Sequence, residues 1–137
     1  MSYLLDTGFY FAMIDDSDAD HAAVIASLPT IDGTIYLPTV VTTEVAYLVL
    51  RDMGREALAD FVERLSRSQF VFVEPLAADY ERAATILRKY ADSNLDFVDV
   101  ILFAIAERLN ITRILTIDTR HFRMFRPNHT PAFELIP

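Results

Sequence analysis

Four acidic residues stand inside otherwise apolar stretches. Asp6 follows Tyr3-Leu4-Leu5, Glu44 lies among Val40, Val41, Val45 and Ala46, Asp99 sits between Val98 and Val100-Ile101, and Asp118 follows Ile114-Leu115-Thr116-Ile117. A carboxylate set in a hydrophobic run is carried toward the interior, where desolvation penalises its charge. Several such groups at one place repel one another. The single lysine, Lys89, belongs to a different segment from all four. Such a cluster is tolerable when some acids protonate or when a hard cation lies among them. Carboxylate oxygens favour Mg2+ or Mn2+ over zinc, which prefers His or Cys, and the chain has no cysteine.

Whether the acids meet depends on the elements that carry them. Tyr3–Leu5 reads as a short buried strand ending at Asp6. Gly8–Ile14 is apolar enough for a helix, and Asp18–Leu28 reads as another, with Ser17 or Asp18 as its N-cap and Pro29 after its end. Ile35–Leu37 is a second strand behind the turn residues Asp32-Gly33. Thr39–Met53 carries Val41, Val45, Leu48 and Val49 along one helical side, with Glu44 about one and a half turns in. Gly54 separates it from an amphipathic helix over Arg55–Arg67. Phe70–Val73 is a third strand, and Ala77–Tyr90 a surface helix with Tyr80, Ala83, Ala84 and Leu87 as its buried stripe. Asp96–Leu109 is the most apolar helix and the expected centre, Ile114–Ile117 a fourth strand and Phe133–Ile136 a fifth.

Strands alternating with helices predict one domain over residues 1–137. The expected fold is an α/β three-layer sandwich with a mostly parallel central sheet of four to five short strands. Ligands collect beyond the carboxyl ends of such strands. Asp6 and Asp118 fall there, Glu44 follows the second strand, and Asp96 and Asp99 open the central helix at i and i+3. A cation held at that mouth keeps several waters, one of which can be activated against a phosphodiester.

The bulk properties leave this chemistry open and close others. At 137 residues and 53% hydrophobic, the chain can bury a core without disulfides or a structural metal. The absence of cysteine excludes a thiolate zinc site and a Cys nucleophile. The N-terminus lacks a basic leader pattern, and the longest apolar run, Val100–Ala106, is too short to span a bilayer, so a cytoplasmic protein is expected. A net charge of −8 argues against a general nucleic-acid coat. It does not exclude a nuclease, because a bound cation offsets part of the count. The charge is also uneven: Asp15, Asp16, Asp18 and Asp20 cluster near one end, whereas Arg108, Arg113, Arg120, Arg123 and Arg126 face only Asp118.

Each acid also has an ordinary role open to it. Asp96 is most simply an N-cap, and Asp96-Phe97-Val98-Asp99 resembles a capping box with Asp in place of Glu, a reading placed ahead of metal ligation. Asp99 could serve only the helix dipole, Asp118 a turn, Asp6 or Thr7 a helix cap, and Glu44 an exposed helical position. Arg120 and His121 suit RNA phosphate, or else Arg120 pairs with an acid and His121 packs under Phe122. His21 and His129 read as surface residues. Phe9, Tyr10, Phe11 and Met13 are too many large side chains for one face of a short helix; they suggest a dimer or antitoxin surface, or else burial on two sides, which suits Phe9 and Met13 better than Tyr10 and Phe11. Tyr47, Leu48 and Leu50 offer a similar patch.

Taken in order, these segments resemble the PIN-domain family. Leu4-Leu5-Asp6-Thr7 is similar to its opening strand, Thr42-Thr43-Glu44-Val45 to its helical glutamate, and Asp96-Phe97-Val98-Asp99-Val100 with Ala104-Ile105-Ala106 to its central helix. Leu115-Thr116-Ile117-Asp118-Thr119-Arg120-His121-Phe122 resembles its closing segment. The likeness runs from residue 3 to about 126, nearest to the VapC-type toxins of toxin–antitoxin pairs. Val100 stands where alanine is common, and Asp96 is present in only some members. The resemblance implies a Mg2+- or Mn2+-dependent endoribonuclease, a homodimer, inhibited by a cognate antitoxin, with transfer or ribosomal RNA as its class of target. By that likeness Asp6 and Asp99 are the main metal ligands. Glu44 and Asp118 complete the pocket, directly or through water, and Thr116 and Thr7 orient carboxylates or water.

Four rivals stand against it, one of them a purely structural partner-binding protein, which would leave the acid cluster unexplained. A haloacid-dehalogenase-like phosphatase needs a second Asp where Gly8 stands, and a receiver domain needs a lysine after a late strand, which Lys89 does not supply. The last is a catalytically silent PIN-like module that binds RNA or a partner, against which stands the presence of all four acids.

Overall fold

The computed structural model describes all residues, 1–137. Its strands are β1 (Ser2–Leu5), β2 (Thr34–Pro38), β3 (Val71–Val73), β4 (Arg113–Leu115) and β5 (Glu134–Ile136). They form one sheet in the order β3-β2-β1-β4-β5, with every pair parallel. Leu4 pairs with Tyr36 on one side and with Ile114 on the other. The consecutive residues Tyr3, Leu4 and Leu5 are all buried, which requires cover on both faces of the sheet, as a parallel sheet normally has.

Helices supply that cover: α1 (Thr7–Ile14) and α2 (His21–Ser27) join β1 to β2, α3 (Thr39–Met53) and α4 (Arg55–Leu65) join β2 to β3, and α5 (Ala77–Lys89) and α6 (Phe97–Leu109) join β3 to β4. A short α7 (Thr119–Met124) precedes β5. The expected α/β sandwich is therefore present, with five strands and no antiparallel member. The chain runs outward from β1 through β2 to β3, then returns to β1's other side at β4. The strand order thus reverses at β1, and the carboxyl ends of β1 and β4 bound the crevice where open α/β sheets bind ligands. No helix is long and apolar enough to cross a membrane.

The central helix is buried nearly all round. Val100 through Ala106 are inaccessible or almost so, as an apolar run without a polar face demands. Phe103 stacks on Phe125 at 4.2 Å and meets Phe122 edge-on at 5.1 Å, which anchors α7 and the chain after it to α6. Val41, Val45 and Val49 lie at zero exposure on one side of α3.

Several local readings are corrected. The second helix begins at His21, because the Asp15 side chain accepts from Ser17 N and the Asp18 side chain from Asp20 N, holding that stretch in turns. The buried stripe of α5 is Asp79, Ala83 and Ile86, whereas Tyr80 and Leu87 are exposed. An ion pair between Asp79 and Arg108 of α6 rotates the helix to that face. Phe9, Tyr10 and Phe11 are all buried within the chain, because α2 and α3 pack against α1 and Tyr10 packs on Phe61 and Phe70. Tyr47 and Leu50 do remain exposed.

Candidate metal centre

Asp6 leaves the end of β1 with extended backbone and caps α1. One carboxylate oxygen accepts from Thr7 N at 2.8 Å and the other from the Thr116 hydroxyl at 2.7 Å. Burial pushes the Asp6 carboxyl up, these two hydrogen bonds pull it down, and the charges of Asp118 and Glu44 push it up again, leaving it at about 6. The Thr116 hydroxyl has a second task, accepting from Asp118 N at 2.9 Å. One fully buried hydroxyl thereby ties the end of β1 to the segment after β4. Gly8 permits the same approach, since a Cβ there would lie 2.8 Å from Cγ1 of Ile117.

Asp96 and Asp99 reach the same mouth from α6. The Asp96 side chain accepts from Asp99 N at 3.0 Å, and the Asp99 side chain accepts from Asp96 N at 3.2 Å. This is the reciprocal capping box expected from the sequence. The two acids differ in setting, Asp96 being exposed and Asp99 buried. Burial raises the Asp99 carboxyl, and the neighbouring Asp96 charge adds to it. The Asp96 N–H and His121 pull the other way, the Asp6 charge pushes up, and the group settles at about 7.

Asp118 caps α7, one oxygen accepting from His121 N at 3.2 Å. Its other oxygen lies 2.8 Å from Nδ1 of His121, which is also 3.2 Å from Oδ2 of Asp99. That nitrogen lies within reach of both acids and bridges them. Single donor atoms from Asp99, Asp118 and His121 all lie within 4.8 Å of one another. Asp6 and Glu44 stand outside this compact triad and act on it through charge, Asp6 on Asp99 and Glu44 on Asp6. Glu44 is half-buried on α3 and its side chain makes no hydrogen bond or ion pair.

These residues suit a hard divalent cation. No arginine or lysine pairs with any of the four acids, although arginines pair with Asp79, Glu107 and Glu134 elsewhere. The only basic side chain within reach of the acids is that of His121. The hydroxyl oxygen of Thr7, next to Asp6, is buried without any partner. A crowd of acids with raised proton affinity and no cationic side chain is the donor set that Mg2+ or Mn2+ occupies.

Of the residues expected from sequence, Asp6, Asp99, Asp118, Thr116 and Thr7 meet at the carboxyl edge, with Glu44 close by. Asp96 is at its rim as a cap. His121 lies inside the acid cluster, neither packed under Phe122 nor free on the surface. Arg120 is exposed and pairs with no acid. His21 and His129 are not plain surface residues: each is half-buried with a ring nitrogen on a backbone carbonyl, Ala12 O at 2.6 Å and Ile111 O at 2.7 Å. The signal that marks His121 is its spacing from Asp118, three residues along what proves to be a helix.

Comparison with known proteins follows the same outline. A family model described as PIN domain matches residues 3–126. Ribonuclease VapC26 of Mycobacterium tuberculosis (strain ATCC 25618 / H37Rv) is 31% identical over 134 residues, covering 98% of this chain and 99% of the relative. Among solved structures, the Sarcin-Ricin loop cleaving toxin VapC20 of Mycobacterium tuberculosis superposes with a TM-score of 0.80 at 20% identity, over 87% of this chain and 92% of that one. VapBC2 from Rickettsia felis, bound to a DNA fragment from its promoter, gives 0.70 at 17% identity over 98% and 97%. The two structural likenesses bear on the fold.

Proposed function

The chain belongs to the PIN-domain family, and from that premise we propose that it is a divalent-metal-dependent endoribonuclease, the toxin of a type II toxin–antitoxin pair. The observation that carries the reading is the meeting of Asp6, Asp99 and Asp118 at the carboxyl edge with no arginine or lysine to neutralise them. Mg2+, or Mn2+, is the cation proposed, held by Asp99 and Asp118 with Asp6 beside them.

A divalent ion bound there would offset charge on phosphoryl oxygens and make water a better nucleophile. The protein's own groups do the rest. Thr116 and Thr7 N hold Asp6 in a fixed rotamer, and the capping box does the same for Asp99. Both acids must lose their protons before they can serve as ligands, which their raised affinities delay to near-neutral pH. His121, with Nδ1 within reach of both Asp99 and Asp118, holds the two carboxylates at short range. Glu44, the one acid of the set with no hydrogen bond, is free to take a proton from an attacking water at its carboxylate.

Transfer or ribosomal RNA is the proposed class of substrate, which places the action in the cytoplasm. The proposal includes a homodimer and a cognate antitoxin. An apolar groove of about 360 Å3 lined by Met13, Ile14, Met53, Phe61 and Phe70 offers the antitoxin a seat.

The test is cleavage of a mixed cellular RNA pool by purified protein with Mg2+, with Mn2+ and with EDTA. Discrete fragments that require metal and vanish in Asp99→Asn support the reading. Intact RNA in every condition, from protein free of antitoxin and shown to bind Mn2+, would replace the nuclease with a silent RNA- or partner-binding module.

A further inference from the structure

A strand of RNA meets an electrostatic problem on this molecule. The chain carries a formal charge of −8, and the centre where cleavage would occur gathers Asp99 and Asp118 with Asp6 nearby and no arginine or lysine paired to them. A cation there offsets charge at the cleaved phosphate but leaves the neighbouring phosphates facing a negative surface. Beside the centre, the end of α5, the loop after it and α7 enclose a cleft of about 340 Å3. Lys89, the chain's only lysine, and Arg120 both line it, with Tyr90, Asn94 and His121 between them and Asp92 as its single carboxylate. His121 is shared, since its ring also touches Asp99 and Asp118.

Lys89 and Arg120 form no ion pair and make no hydrogen bond through their side chains, whereas Arg51, Arg67, Arg82, Arg108 and Arg113 are each committed to a carboxylate. The Lys89 ammonium lies 5.7 Å from the centre of the Tyr90 ring, which keeps it beside the cleft without neutralising it. Tyr90 is itself fixed, its hydroxyl accepting from Arg126 N at 3.1 Å and its ring packed on Phe125. Two elements distant in sequence thus bring two uncommitted cations to one concavity, adjoining the acid centre through a shared residue.

We propose that this cleft is a phosphate subsite, in which Lys89 and Arg120 hold a backbone phosphate of the RNA strand neighbouring the one that is cleaved. The proposal rests on the nuclease reading for the identity of the strand. Lys89 and Arg120 are positioning residues: they contribute charge to strand binding and fix its register across Asp99 and Asp118, without touching the reacting atoms.

The test is binding of a fluorescent, mixed-sequence single-stranded oligoribonucleotide to the full chain, with Ca2+ in place of Mg2+ and the strand checked for integrity on a gel. Both side chains are exposed, so Lys89→Gln/Arg120→Gln should fold as the parent does. The double variant is expected to bind about tenfold more weakly. Its plot of log K against log salt should be shallower by about 0.7, the increment for the one phosphate of a single strand that the protein no longer neutralises. Arg55→Gln/Arg64→Gln, which removes equal charge from α4, should leave that slope unchanged. An unchanged affinity and slope in the first variant, or an equal loss of slope in the second, would overturn the subsite. Cleavage by the parent protein with Mn2+ is run in parallel. If it is intact while the slopes do not move, the subsite alone fails; if the parent never cleaves, the nuclease reading fails and the binding result still decides the cleft.

Discussion

The two ends of α6 treat buried acids in opposite ways. At its carboxyl end, Arg108 meets Asp79 of α5 at 2.9 Å and Glu107 meets Arg82 at 2.7 Å. Burial works to raise the Glu107 carboxyl, but the hydrogen bonds from Arg82 and Asn128 N outweigh it and leave it below its ordinary value. At the amino end, Asp99 is equally enclosed and has Asp96, Asp6 and one histidine for company, so its carboxyl rises to about 7. The first end resolves its electrostatics within the fold. The second leaves a deficit of positive charge that only a proton or a metal ion removes. A fold that carries both shows that arginine pairs were available to it, so the bare cluster is a property of the site and not of the architecture.

Substitution at the two ends should therefore give opposite results. Asp99→Asn is expected to lower metal-dependent cleavage by a hundredfold or more, while raising the melting temperature of the metal-free protein by relieving repulsion. Thermal melts in EDTA alongside a cleavage assay check both at once. Full activity in Asp99→Asn would remove this residue from the centre. A lower melting temperature would mean that repulsion does not govern this end.

The pH dependence sharpens the contrast further. Asp6 and Asp99 have folded affinities raised to about 6 and about 7 from an ordinary 3.8. Between about pH 4 and 7 the folded chain therefore binds more protons than the unfolded one, and stability falls as pH rises. By the linkage relation the Asp6 shift alone amounts to about 3 kcal/mol. Denaturant titrations in EDTA should show the protein more stable at pH 5 than at pH 8. Mn2+ should restore more stability at pH 8, where the ligands are already deprotonated. A metal-free protein equally stable at both pH values would show that the acids are better screened than their burial implies.

At the other end, Asp79→Ala removes the partner of Arg108 and the acceptor of Leu76 N, leaving a cation that is only partly exposed. A loss of about 2–3 kcal/mol is expected, with cleavage per folded molecule unchanged. Urea denaturation measures the first and cleavage at a temperature well below the transition measures the second. A loss of activity without loss of stability would break the separation between the ends.

What the sequence reveals follows the same division. Strand and helix order were readable because strands buried on both faces are runs of apolar residues, and α3 and α6 carry clear periodicity. The acids were legible because each stands in an apolar run and the four fall in order along the chain, although each alone has an ordinary role open to it. Asp79 was not, since Ala-Ala-Asp-Tyr-Glu-Arg reads as solvated helix and only the distant Arg108 makes its burial tolerable. Nor was the place of His121, since α7 is six residues long and has too little periodicity to announce itself. Lys89 and Arg120 meet through tertiary packing that no local pattern encodes.

The smallest expected effect concerns Asp96, which stands at the acid end of α6 but behaves as a structural residue. Its side chain accepts from Asp99 N and its own N–H is held by Asp99, so it fixes the Asp99 carboxylate. Serine can make the same cap without the charge, whereas alanine cannot. Asp96→Ala should cost about 1 kcal/mol, and Asp96→Ser only a few tenths. Cleavage should stay within about twofold of the parent in the serine variant, because the cap that orients Asp99 survives. Removing the Asp96 charge also takes away one of the causes that raise Asp99, so the acidic limb of the pH–rate profile should shift to lower pH in Asp96→Ser. If cleavage instead collapses in the serine variant with stability kept, Asp96 holds the metal and the cap is incidental. If the limb stays where it was, burial alone sets the proton affinity of Asp99, and the contrast between the two ends of α6 rests on exclusion of water more than on charge.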